Sequence, residues 1–434
     1  MKRVTFLAFM LLVMIALIIS CMPAAPAPPT PTTPKPSVKP IVLGVPTALG
    51  SIEGADALRC VKLAVEEINA KGGVSVEGVK RPLKVVSIDT REHEPGIPVH
   101  DALAAVEKLI LEKKPDAIVV GSFRSEVLLA SMDLIAKYKL PYICSIAMTP
   151  VFQKKIVENY DKYKYMFRNC LNSAYFVNYL CQVMDFLGKE FGFKKAYLIP
   201  QDVLWARGTA KGLEKWYKEH DWEVVGFDAY PTGATEFSSS LTKARDKKAQ
   251  VIVPIFDMPQ AGILLKQARA MKVPALLCGF ISPVAPGNAW KVFEGEVEGM
   301  VNFLFEIGPI PVKAVPKSVE FNKAYGERWG EELRIKLSGH GPGPAYDSVY
   351  ILKDAIERAG TLDPDKLVSA LEETDLEGVV GRIKFAKDHQ VVYGVDPKET
   401  AIGCAFQWKA PGIRVPVFPE VVAEGKVELP PYMK

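Results

Sequence analysis

Ile41-Val42-Leu43-Gly44-Val45 leads, a few residues on, into Ser51-Ile52-Glu53-Gly54-Ala55-Asp56-Ala57-Leu58-Arg59-Cys60-Val61-Lys62-Leu63-Ala64-Val65-Glu66-Glu67-Ile68-Asn69-Ala70-Lys71-Gly72-Gly73, and the reading of this stretch decides the fold. Its first part is a short apolar run, the pattern of a strand covered on both faces. In its second part Leu58, Val61, Val65 and Ile68 recur at helical spacing, which predicts a helix over 54–71 with one apolar face. Gly72-Gly73 ends that helix, because glycine accepts the left-handed conformation at a helix terminus.

The same strand-then-helix rhythm continues through most of the chain. Residues 83–89 read as a strand, 100–113 as a helix, 117–121 as a buried strand, 125–138 as a helix and 142–145 as a strand. A second run begins with a strand at 196–199 and a helix at 205–219, followed by a strand at 251–256, a helix at 259–271 and a strand at 275–279. Alternation of this kind builds α/β structure in which parallel sheets carry helices on both faces. Two such runs, meeting near residue 168 of a 434-residue chain, predict two doubly wound lobes.

Composition removes several function classes. The 54 basic and 50 acidic side chains leave a net charge of only +4, no footing for an electrostatic hold on nucleic acid. A hydrophobic share of 49% excludes disorder. At the start, Lys2-Arg3 precedes an almost wholly apolar run, which closes on Ile18-Ile19-Ser20-Cys21. That ending resembles the lipobox of secreted lipoproteins, predicting a signal peptide over 1–20 and a lipid on Cys21. The proline-rich stretch that completes 21–40 reads as an extended spacer. The expected location is the outer face of the cytoplasmic membrane or the periplasm, lipid-anchored. Cys60, Cys144, Cys170, Cys181, Cys278 and Cys404 form no CxxC pair, and the five histidines form no HExxH, so neither metal nor cofactor is expected. Neither a GxGxxG or GxxxxGK[ST] phosphate loop nor a GxSxG elbow is present, and no enzymatic activity is expected. Gly339-His340-Gly341-Pro342-Gly343-Pro344 reads as a loop before a helix at Tyr346.

Open parallel sheets bind ligands beyond the carboxyl ends of their strands, so the residues after each strand are the informative ones. Gly121-Ser122-Phe123-Arg124-Ser125 opens a helix, and its amides with the Ser125 hydroxyl form a candidate carboxylate cradle; helix capping is the alternative role for the serines. Ser145-Ile146-Ala147-Met148-Thr149-Pro150 is a loop whose Thr149 donates to an anion or caps the next helix. Trp205 stands at the next strand-to-helix mouth, and Phe256-Asp257-Met258 at another. Four loops of one character on two lobes point to a cleft.

Ala64-Val65-Glu66-Glu67-Ile68-Asn69-Ala70-Lys71-Gly72-Gly73 resembles the A-x-x-x-I-N-A-x-G-G signature of the branched-chain amino-acid (Leu/Ile/Val) binding-protein family. Further matches follow in order at residues 115–121, Pro141-Tyr142-Ile143, Met166-Phe167-Arg168, 265–269, Glu298-Gly299, 346–360 and 381–385. The resemblance covers roughly 41–408. It implies a type I periplasmic-binding-protein fold whose chain crosses between the lobes three times, near 168–169, 301–305 and 385. The lobes are then 41–168 with 304–385, and 169–303 with 386–412, leaving 413–434 as a tail. It implies an exported solute receptor that closes on a small polar ligand, an amino acid or related carboxylate, and works with ABC permease subunits; the alternatives are an amide, urea or aromatic acid as ligand, or a sensory ligand-binding role.

Carried over residue by residue, the resemblance places the ligand carboxylate at Ser125 and at the Ala147-Met148-Thr149 loop, and a closing aromatic at Trp205. A second aromatic position falls near Met258, with Asp257 beside it, and the first loop has Glu53 where an aromatic is frequent. The family's acidic partner for the ligand ammonium falls at Ile281, which carries no charge. Glu53, Asp202 or Asp257 would have to replace it, because a buried ammonium needs a counter-charge. Arg124, facing the cleft or else solvent or the opposite lobe, would in the first case favour an anion without an amino group.

Overall fold

Successive residues of one strand serve two different cores. In a computed structural model describing residues 38–433, Ala117 and Val119 pack in the cluster that contains Val61, Ala64 and Val65, whereas Ile118 packs with Val106, Leu128 and Met132. The two-residue period of a strand enforces this division, and the first sheet consequently has helices on both faces. Helix Ile52–Ala70 lies against helix Pro342–Ala359, and helix Val99–Lys113 against helix Ser125–Tyr138.

The first sheet is built from β1 (Ile41–Thr47), β4 (Leu83–Asp89), β5 (Ala117–Val120), β6 (Tyr142–Cys144) and β7 (Met166–Arg168), with β2 (Val74–Val76) and β3 (Val79–Arg81) forming a separate hairpin. Its order is β4-β1-β5-β6-β7, all parallel. The second sheet takes β8 (Lys195–Pro200), β9 (Glu223–Phe227), β10 (Val251–Phe256), β11 (Leu276–Ile281) and β12 (Val301–Leu304). After the hairpin of β13 (Asp375–Gly378) and β14 (Gly381–Lys384) it is completed by β15 (Cys404–Lys409) and β16 (Ile413–Phe418). Its order is β16-β15-β12-β11-β10-β8-β9, parallel from β12 to β9 and antiparallel at the other edge. The fold is therefore the two-sheet α/β arrangement that the rhythm of the sequence predicts. All six cysteines among the described residues are buried, unpaired thiols.

Three segments differ from the sequence reading. Helix Pro342–Ala359 starts inside the stretch read as a loop, since proline suits a first helical turn that needs no N–H donor. Residues 413–434 are not a free tail: Ile413–Phe418 pairs with β15, and the ring of Tyr432 lies 4.0 Å from the Arg269 guanidinium. The third crossing lies beyond Val391, not near 385. Phe385 bridges Val391, and Gln390 runs parallel beside Arg168, accepting from its Nε at 2.7 Å and donating to the Cys170 carbonyl at 2.9 Å. These polar bonds keep the chain on the first sheet for several residues more. The segments read as a signal peptide, a lipidated Cys21 and a linker lie, up to residue 37, outside the described residues.

β5 ends abruptly. Gly121 N donates to Val119 O at 2.9 Å, closing a three-residue turn with Val120 at φ +69° and Gly121 at +68°. A β-branched residue in this region is strained, so the turn is imposed by its surroundings. Any Cβ at Gly121 would lie 2.0 Å from the Tyr142 hydroxyl, which accepts from Ser122 N at 2.8 Å. Gly121→Ala should therefore cost about 2 kcal/mol or more, read as a lower urea midpoint; an unchanged midpoint would show that Tyr142 moves aside freely.

Candidate functional site

The carboxyl ends of the two sheets face a common cavity of about 20 Å3, room for about one water. Glu53, Phe123, Ile146 and Met148 line it from the first lobe, and Trp205, Asp257 and Phe280 from the second. Phe305, just past β12, and His340, just before helix Pro342–Ala359, complete the wall.

Glu53 sits in the first turn of helix Ile52–Ala70, whose N-cap is Ser51, and is only 2% exposed. It accepts a hydrogen bond from the Ser282 hydroxyl of the opposite lobe. Burial pushes its carboxyl up to about 7 against the pull of the Ser282 bond, and the like charge of Asp257 adds to the rise. Asp257 follows β10 and accepts from Trp205 Nε1 at 2.6 Å, which fixes the plane of the indole. Edge-to-face contacts hold Trp205 against Phe280 (6.3 Å) and Phe305 (6.0 Å), and Phe280 lies 4.1 Å from Phe305.

His340 has acceptors at both ring nitrogens: Nδ1 is 3.0 Å from Glu306 Oε2, and Nε2 is 2.6 Å from Ile146 O. Donation from both nitrogens requires the imidazolium form, which the neighbouring Glu306 carboxylate favours. Burial alone would lower its pKa, and the Glu306 carboxylate outweighs that, leaving it raised. Glu306 also accepts from Leu171 N at 2.9 Å and Gly341 N at 3.1 Å.

The sequence-derived residues fall into three groups. Glu53, Met148, Trp205 and Asp257 line the cavity. Ser125 and Thr149 meet one another, Thr149 N donating to Ser125 Oγ at 3.2 Å while Thr149 Oγ1 accepts from Val151 N at 3.3 Å. The remainder are committed elsewhere. The Ala147 carbonyl accepts from the buried Arg168 guanidinium at 3.0 Å, Met258 Sδ from Gly233 N at 3.2 Å, and the Ile281 backbone pairs with the Asn302 amide. Arg124 spans the lobes, donating to the Glu92 carbonyl and, at 3.2 Å, to Thr232 Oγ1. Asp202 pairs on the surface with Arg207 at 2.6 Å.

The cradle read at 121–125 already holds a carboxylate of the chain. Glu92, 1% exposed, accepts from Phe123 N at 2.9 Å, Arg124 N at 2.8 Å and Thr90 Oγ1 at 2.7 Å. A further carboxylate bridges the lobes: Glu126 Oε1 accepts at 2.9 Å from Leu204 N, the first amide of helix Leu204–Glu219, whose own N-cap Val203 offers no side-chain acceptor.

Sequence comparison agrees with this architecture. A family model for periplasmic binding protein matches residues 42–396. The chain belongs to the periplasmic binding protein family. It is 24% identical over 388 residues to the Leu/Ile/Val-binding protein homolog 7 of Brucella melitensis, covering 87% of this chain and 90% of that one. In fold it is similar to a putative branched-chain amino acid ABC transporter protein from Silicibacter pomeroyi, with a TM-score of 0.75 at 18% identity, covering 91% of this chain and 100% of that chain. The substrate-binding protein of a branched-chain amino acid transporter from Streptococcus pneumoniae, solved with isoleucine, gives a TM-score of 0.68 at 22% identity, over 87% and 100% of the two chains.

Within this family member, the sequence reading missed Glu92, Ser282, Phe280, Phe305 and His340. Glu92, Phe280 and Ser282 lie at or just after the ends of β4 and β11, so the carboxyl-end rule applied to every strand would have found them. Phe305, directly after β12, falls under the same rule, whereas His340 lies in the loop before helix Pro342–Ala359, where no strand end points to it.

The buried acids set a pH dependence. Burial pushes Glu53, Glu92 and Asp347 each up to about 7, and Asp56 to about 6. The folded chain therefore holds protons that the unfolded chain has released, and this stability is present below the ordinary carboxyl range and lost as pH rises through 6–7. His340, raised as well, acts in the same direction. The urea midpoint should be higher at pH 5 than at pH 8; a midpoint that is flat or rises with pH would count against these buried acids being protonated.

Proposed function

We propose that this chain is the extracytoplasmic solute-binding lipoprotein of an ABC importer, exported by its signal peptide and anchored through Cys21. It captures one small polar molecule, an amino acid or a related compound, between its lobes and presents the closed form to the permease subunits. The solute is bound and released without any bond being changed. The observation that carries this reading is the division of the cavity wall, with Glu53, Phe123 and Met148 from one lobe and Trp205, Asp257 and Phe280 from the other. Contacts shared in this way exist together only when the lobes meet, so a ligand stabilises the closed form by population shift. The relative from Streptococcus pneumoniae, solved with isoleucine, supports a small organic solute.

A second reading keeps the fold and role but replaces the amino acid by an amide, a urea or another non-amino-acid solute. It is favoured by the Ser125–Thr149 contact and by Glu92 in the loop amides, because both positions matched to an amino-acid carboxylate are engaged internally.

Native mass spectrometry of the purified protein tests the role. An adduct of small-molecule mass, lost in Trp205→Ala while the fold persists, is the expected result; an adduct retained in that variant, or chemically converted with time, would overturn it. Closure has its own test. Glu126→Ala removes an N-terminal cap worth about 1 kcal/mol from the closed form alone, so ligand affinity should fall about fivefold to tenfold though Glu126 does not line the cavity. Calorimetric titration with the ligand identified by mass would show it, and an unchanged affinity would remove Glu126 from closure.

A further inference from the structure

The charges around the cavity do not balance. Glu53 and Asp257 both line it, and the one cationic side chain in the wall, His340, is committed to Glu306 and to the Ile146 carbonyl. Several donors of the surrounding loops are engaged as well. Ser122 N bonds to Tyr142, the Phe123 and Arg124 amides to Glu92, Thr149 N to Ser125, and the Arg124 guanidinium reaches Glu92 and Thr232. A carboxylate entering this space would meet two acidic side chains and no uncommitted cationic side chain in the wall, a buried anion poorly compensated. A cation meets the opposite conditions: two acidic side chains, and three ring systems, Trp205, Phe280 and Phe305, within 4.1–6.3 Å of one another. Aromatic faces attract positive charge, most strongly where water is excluded.

We propose that the solute taken into this cavity is a small organic cation bearing no carboxylate. Its charged nitrogen lies between Glu53 and Asp257 and its apolar part against Trp205, Phe280 and Phe305. The inference rests on the cavity being the solute site. It explains why Ile281 is uncharged: Glu53 reaches across the cleft to Ser282, the next residue, and supplies from the first lobe the negative charge missing from the second. The small cavity, about 20 Å3, restricts the class to the most compact amines, which the lobes must part slightly to admit. Burial holds the Glu53 carboxyl partly protonated near neutrality, so an arriving cation is received best at pH 8, where that proton is more readily released.

The test is calorimetric titration and thermal unfolding of the full-length protein at pH 8 with ethylammonium, tetramethylammonium, leucine and benzoate, in the wild type and in Glu53→Gln, Asp257→Asn and Trp205→Ala. The expected result is that at least one of the two ammonium ions raises the melting temperature, with leucine and benzoate inert. Its affinity should fall about tenfold or more in Glu53→Gln and in Asp257→Asn. Asp257 is only half-buried, so Asp257→Asn carries the test if Glu53→Gln fails to fold. Tighter binding of leucine or benzoate, no response to either cation, or cation binding indifferent to both acid substitutions would each overturn the proposal. Trp205→Ala separates the two levels of the argument. If it abolishes leucine or benzoate binding, the solute site stands and the cation class falls; if it leaves every binding unchanged, the cleft itself is not the site.

Discussion

The His340–Glu306 ion pair is the constraint on which the relation between the lobes depends. Glu306 lies just past the second crossing, and it accepts from Leu171 N just past the first and from Gly341 N. His340 passes the same network to the Ile146 carbonyl in the cavity wall. Asn169 extends it, donating to Pro344 O at 2.7 Å, while its own carbonyl accepts from Tyr393 Oη at 2.9 Å on the third passage of the chain. One buried pair thus gathers all the connecting segments with a wall of the site. Removing a single partner of such a pair typically costs 3–5 kcal/mol, about 4 on average, because the other charge stays buried alone. Apolar packing is non-directional and would let the lobes settle at several angles; the short bonds around Glu306 restrict them to few.

A second theme is the supply of negative charge from the first lobe. Glu92 fills the loop amides after β5, Glu53 reaches Ser282, and Glu126 caps helix Leu204–Glu219. Each does work that a purely local motif would assign to another group: an external carboxylate, an acid at Ile281, or a capping side chain at Val203. Of the three, Glu53 and Glu126 accept hydrogen bonds across the cleft, so closing the lobes pairs polar groups that separation would return to water. The gain on closure is modest for each, about 1 kcal/mol, which suits a protein that must also reopen.

Much of the fold was legible because its signals are periodic. Alternation at Ile118 and Val119, the one-faced helix ending at Gly72-Gly73, and the repeated strand–helix order all reduce to local spacing, and they placed β1, β4, β5, β6, β8, β10 and β11 to within a few residues, while β7, β9, β12 and β15 escaped them. The strand-end rule brought out Trp205 and Asp257, and the family pattern added Met148 and Glu53. What stayed illegible was the commitment of side chains. Nothing near Arg124 in sequence shows that it spans the lobes to Thr232, a contact 108 residues away, nor that Glu92 occupies a loop 31 residues further on. β16 escaped notice because Pro416 and the charged neighbours of Ile413–Phe418 mask a strand that has only one partner in the sheet. The third crossing was misplaced for a related reason: Gln390 is held to the first sheet by its side-chain amide, which no periodicity reports.

The interlaced topology has a consequence in time. Helix Ile52–Ala70 needs helix Pro342–Ala359 to cover it, and β12 needs β15, which begins at Cys404. A chain appearing from its N-terminus therefore owns neither lobe complete until its last hundred or so residues are free, and both lobes reach completion almost together. Until then, an apolar helix face and an open sheet edge are exposed side by side. For such a chain the hazard of aggregation is concentrated in a single late interval, and loss of the final strands would leave β12 as an open edge of the second sheet.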